Sequence, residues 1–167
     1  MEILTTAAIT LTSGVIASLI TLAVTHRNDV KKFVLEQRAE LYCRLFNVVD
    51  RLINQPQLAF NKQYMEELIG YKAGMKLLAS KKTFPLFAEL FETVIEPYNS
   101  YDVYCGYHEG EDINNFDGET YAGIKNDLDL SPEEFISKYI PDREVVDSCI
   151  RALYESMRDD LGSNLKR

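Results

Sequence analysis

His108 is where any chemistry in this chain would start. With Glu109, Glu111 and Asp112 it sets an imidazole and three carboxylates within five residues, groups that can bind a divalent metal or pass a proton. Metal sites also need a ligand spacing that turns the donors toward one point, and this stretch has none. Asp112-x-Asn114 followed by Asp117-Gly118 opens like a calcium loop. An EF-hand would need Asp or Asn where Phe116 stands and Glu where Gly123 stands, so the pattern fails. His26 is the only other histidine, and no Ser-His-Asp or Cys-His order is built from the two. The glycines form neither G-x-G-x-x-G nor a phosphate-binding loop. No catalytic, cofactor-binding or metal-binding residue is assigned, no cofactor is implied, and an enzyme is not expected.

The other local constellation is aromatic. Tyr98, Tyr101, Tyr104 and Tyr107 recur every third residue around Cys105. Tyrosine carries a large apolar ring with a polar tip and suits surfaces that are covered on one side. The four are therefore a candidate partner face; the alternative is the edge of a helical core whose hydroxyls reach water.

These groups need a scaffold, and its dominant feature lies at the other end of the chain. Ile3 to Thr25 is a run of 23 residues without a charge. At about 1.5 Å per residue it would extend about 34 Å, enough to cross a hydrocarbon core of roughly 30 Å. A secretory signal fits poorly: no Lys or Arg precedes the run, the apolar stretch is too long, and Leu22-Ala23-Val24-Thr25 is a poor cleavage sequence. Arg27, Lys31 and Lys32 follow at once, so the positive-inside rule puts the amino terminus outside and the remainder in the cytoplasm. The expected layout is a transmembrane helix over residues 1–27 in the lipid bilayer and a cytoplasmic domain over 28–167. Cys43, Cys105 and Cys149, scattered and odd in number, suit reduced thiols.

The span is unusually hydroxylic. Thr6, Thr10, Ser13, Ala17 and Thr21 share one helical face, and Gly14 with Ser18 forms a small-xxx-small pair that lets helix backbones approach closely. Transmembrane association through these seven residues is the expectation they carry.

The remaining chain reads as all-α. Asp29 to Ile53 is a long helix with an apolar seam at Val34, Leu41, Leu45, Val48 and Leu52, ended by Asn54-Gln55-Pro56. Asn61 to Ala79 spaces Tyr64, Leu68, Tyr71, Met75 and Leu78 at four and three. Thr83 is expected to cap a third helix with Pro85 in its first turn, and Pro97 to kink or interrupt it. Residues 106–123, rich in Gly, Asn and Asp, are expected to be an acidic loop. Ser131-Pro132-Glu133-Glu134 has the form of a capping box. A last helix opens near Pro141, buries Val146, Ile150, Leu153 and Met157, and is expected to end before Gly162. The fold class is all-α: an amino-terminal transmembrane helix followed by a cytoplasmic bundle of about four helices.

Charge is unevenly spread. The net charge of −8 combines Glu2, a +2 stretch over residues 27–59 and a −9 stretch over 60–167. The basic end suits anionic headgroups, and the acidic body argues against nucleic-acid binding.

A resemblance accompanies this layout. Glu36-Gln37-Arg38-Ala39-Glu40-Leu41-Tyr42, Met75-Lys76-Leu77-Leu78-Ala79-Ser80-Lys81-Lys82 and the closing Ala152-Leu153-Tyr154-Glu155-Ser156-Met157-Arg158-Asp159-Asp160-Leu161-Gly162 resemble segments of uncharacterised bacterial single-pass membrane-anchored proteins with a cytoplasmic helical-bundle domain. That group is loosely linked to phage-defence and stress systems. The resemblance implies a bacterial inner (cell) membrane location and brings no site residues with it.

Two modes of action follow as expectations. One is an interaction protein that oligomerises with itself or docks a protein partner at the inner membrane. The other is a membrane-perturbing effector whose spans assemble into a pore when triggered; the lack of an ionisable group inside the span counts against it.

Overall fold

A computed structural model describes the backbone of residues 2–162 and the side chains of residues 21–162. Among the described residues the fold is all-α, with no strand. Six α-helices run in the order α1 (Glu2–Asn54), α2 (Lys62–Leu78), α3 (Thr83–Glu109), α4 (Gly118–Ile124), α5 (Pro132–Tyr139) and α6 (Arg143–Gly162), with 3-10 turns at Pro56–Phe60 and Ile113–Asn115. No helix among the described residues is long and apolar enough to cross a membrane. Of the Ile3–Thr25 run the side chains up to residue 20, at Thr6, Thr10, Ser13, Gly14, Ala17 and Ser18 among others, lie outside the description. Thr21 is described, and it is exposed.

The chain divides into two compact units, Met1–Arg38 and Ala39–Arg167. In the first, the side chains of residues 21–33 are all exposed, Leu22, Val24, Val30 and Phe33 among them.

The second unit is built around a core shared by four helices. Tyr42, Leu45, Val48, Val49 and Leu52 of α1 pack with Tyr64, Met65, Leu68 and Met75 of α2, with Phe87, Leu90, Phe91 and Val94 of α3, and with Val146, Cys149, Ile150, Leu153 and Met157 of α6. Each fully buried Leu, Val or Phe here stabilises by about 1.5–3 kcal/mol relative to exposure. α3 is the hub, touching α2, α4, α5, α6 and the first 3-10 turn. Its later half serves a second, smaller core in which Val103 and Tyr104 meet Ile124, Leu128 and Phe135. Gly74 lets α2 approach α1: a β-carbon there would sit 3.1 Å from Leu41 Cδ1. The Arg51 guanidinium joins the same two helices, pairing with Glu67 and lying 5.4 Å over the Tyr64 ring.

Local signals placed most helix ends. Asn61 caps α2 by accepting the Tyr64 amide, and Ser131 with Glu134 forms the reciprocal capping box of α5. Four expectations need correction. Thr83 is the first residue of α3 rather than its cap; the Ser80 hydroxyl accepts the Thr83 amide at 3.1 Å, and the fully buried Thr83 hydroxyl turns to α6 instead. Pro97 does not interrupt α3, which runs through it for 27 residues. Packing on both cores outweighs the one backbone hydrogen bond a proline removes. Residues 106–123 are not one loop, since α3 continues to Glu109, a 3-10 turn follows, and α4 begins at Gly118. Gly162 belongs to α6 rather than standing after it. The single left-handed residue among those described is Gly110, at φ 84°, which closes α3 by donating its amide to Gly106 and Tyr107.

Candidate functional site

The tyrosine stripe lies in the second half of α3. A spacing of three drifts about 60° per step around an α-helix, so four such residues fan across half its circumference. The structure follows that drift. Tyr104 is buried, its ring 4.3 Å from that of Phe135 and its hydroxyl donating to the Leu130 carbonyl at 2.6 Å. Tyr101 is half-buried, edge-on to Phe60 at 5.4 Å and stacked on Tyr104 at 6.0 Å. Tyr98 is half-buried as well, and Tyr107, at 38% exposure, is the outward member. The stripe is thus largely consumed by packing within the chain.

What it leaves open is a cleft of about 660 Å³ beside Tyr98 and Tyr101. Phe60 and Phe116 complete its aromatic lining. Asp102, Glu109 and Glu111 bring carboxylates to it, and Lys62 is the one basic lining residue. Local geometry explains why these groups meet. Gly110 turns the chain back at the end of α3, and the Glu111 amide donates to Gly106 at 2.9 Å. A β-carbon at Gly106 would come within 2.9 Å of the Phe116 ring and 3.0 Å of the Glu111 carboxylate, so a side chain there would push the Phe116 ring aside. Beyond the turn, Asp117 caps α4 by accepting both the amide and the hydroxyl of Thr120, which hold its carboxyl below the usual range. Cys105 also lines the cleft; burial pushes its thiol up, and the Glu109 and Asp102 carboxylates push it further, against a hydrogen bond with Tyr101.

The histidine segment is divided among structural tasks. His108 Nε2 lies 2.9 Å from the Leu128 carbonyl, and the Asp112 carboxylate accepts the Asn114 amide at 3.0 Å. Among the described residues, no group of three or more His, Cys, Asp or Glu is placed to hold a metal.

Sequence reasoning missed two features. The first is an apolar groove of about 580 Å³ between α1 and α6, where Phe46 stacks on Tyr154 at 4.4 Å, with Tyr42, Met157 and Leu161 as further walls. The second is a polar cluster on Asp160. Its Oδ2 accepts the Tyr42 and Thr83 hydroxyls, each at 2.7 Å, and the Ser80 amide at 3.3 Å, while Thr83 Oγ1 also lies 2.8 Å from Ser156 Oγ. Burial alone would raise the Asp160 carboxyl, yet the hydrogen bonds from Tyr42, Thr83 and Ser80 together hold it below the ordinary value. No local pattern marks Asp160, whose partner Tyr42 lies 118 residues away. Comparison with protein-family models, with curated proteins and with solved structures finds no match.

Proposed function

We propose that this chain is a membrane-anchored helical interaction protein, with residues 26–167 on the cytoplasmic side of a bacterial inner membrane. There it oligomerises or docks a protein partner, in the setting of anti-phage defence. The observation that carries this reading is the 23-residue run without charge, followed directly by Arg27, Lys31 and Lys32. It is supported by α1, a single helix that holds both that run and the core residues Tyr42 to Leu52. The exposed α1 side chains from Thr21 to Thr25, the described end of that run, accord with a segment covered by lipid or another chain.

Membrane fractionation with a tail-fused reporter tests the placement. Release of the chain by carbonate, loss of the leader by intact mass, or a reporter active only in the periplasm would defeat it. A second reading, the pore-forming effector, is favoured by the hydroxyl stripe that Thr6, Thr10, Ser13 and Thr21 form beside Gly14 and Ser18. Replacing Gly14 and Ser18 by Ile separates the two. Lost toxicity with an intact cytoplasmic complex supports the effector, whereas unchanged depolarisation removes it. In the interaction reading, the mass of the full chain in mild detergent exceeds that of a monomer or includes a co-purifying protein.

A further inference from the structure

The cleft beside Tyr98 and Tyr101 has features that the docking role does not use. Its volume of about 660 Å³ falls within the roughly 300–1,000 Å³ typical of small-molecule sites. One side is aromatic, with Phe60 fixed edge-on to Tyr101. The lining also includes Asp102, Glu109 and Glu111, and among the described residues none of these three carboxylates is in an ion pair. An anion would be repelled by those carboxylates, and a neutral apolar ligand would make no use of their charge. A bare divalent ion is disfavoured because the donors do not converge as a ligand set.

We infer that this cleft binds a small organic cation, an alkylammonium or guanidinium group carried on an apolar stem. Aromatic faces attract such a cation and cover its stem, while carboxylates accept its N–H donors in charge-assisted hydrogen bonds. The Cys105 thiol, raised first by burial, is raised further by the Glu109 and Asp102 carboxylates, so their negative field reaches the cleft wall. A cation seated beside them would offset it.

Isothermal titration of the full chain in mild detergent, with spermidine as the probe, tests the assignment. Saturable 1:1 binding is expected. Asp102→Asn combined with Glu109→Gln, both at exposed positions, should weaken it at least ~10-fold, as expected for the loss of two charged acceptors. Lys62→Glu, at the exposed first residue of α2, should tighten binding by adding a carboxylate to the cleft. Both variants should keep the wild-type helical signal, and the second changes affinity in the opposite direction, so a folding defect cannot imitate the pair of results. Absence of saturable binding would overturn the assignment. So would full displacement by an equal concentration of magnesium, or an affinity left unchanged by either variant.

Discussion

Asp160→Ala should destabilise the second unit more than its half-exposed position suggests. In the wild type one carboxylate oxygen is the common acceptor for Tyr42 of α1, Thr83 of α3 and the Ser80 amide between α2 and α3. A hydrogen bond to a charged group contributes about 1.5–3 kcal/mol net, and bonds sharing one acceptor do not add in full. Thr83 keeps Ser156 as a neighbour at 2.8 Å, and Asp160 is partly open to water, which lowers the sum. The expected loss is therefore about 2–3 kcal/mol, which for a domain of this size lowers Tm by about 5–10 °C. The pH dependence supplies a second check. The folded-state carboxyl lies below its ordinary 3.8, so its stabilisation is present above that value and is lost as pH falls through the lower folded one. Thermal unfolding followed by circular dichroism should show the full gap between wild type and variant near about pH 7 and a much smaller gap near about pH 2.5. A gap under about 0.5 kcal/mol at neutral pH, the size of an ordinary surface substitution, would refute the cluster's role, as would a gap that does not change with pH.

Three further outcomes follow from the same geometry. Leu153 is 0% exposed in the four-helix core, so Leu153→Ala should cost about 2–5 kcal/mol in urea unfolding; a loss under about 1 kcal/mol would mean that the site collapses freely. Gly110 holds φ 84°, and Gly110→Ala should cost about 1–2 kcal/mol, read as faster amide exchange in the last turn of α3. Tyr154 and Tyr139 are pushed up to about 12, both first by burial, Tyr154 next by Asp50 and Tyr139 by its hydrogen bond to Asp127. Because the protonated hydroxyl is the favoured form, this stability persists below the ordinary value of 10 and is lost as pH climbs through about 12. Phenolate absorbance should accordingly rise in two stages, and a single stage for all ten tyrosines would contradict the burial of these two.

What the sequence determined by itself is what depends on short range. Apolar spacing drew the four core helices, because a helix has to bury one face; Leu45, Leu68, Leu90 and Leu153 all lie where the period of 3.6 puts them. A cap was readable where donor and acceptor are three residues apart at Ser131. Tertiary structure decided the cases in which local chemistry competed with distant packing. Thr83 has the residue type of a cap, yet Asp160 and Ser156 of α6 claim its hydroxyl. Pro97 sits in a helix held on both sides by separate cores, so the penalty of a missing amide is borne without a break. The tyrosine repeat has a period of three rather than 3.6, so the drift of each step sent Tyr104 inward and Tyr107 outward. The Asp160 cluster, and the meeting of Phe60 and Lys62 with the Tyr98–Phe116 stretch in the cleft, were invisible beforehand for a common reason. Their groups are brought together across many residues by folding, and no periodicity along the chain encodes that meeting.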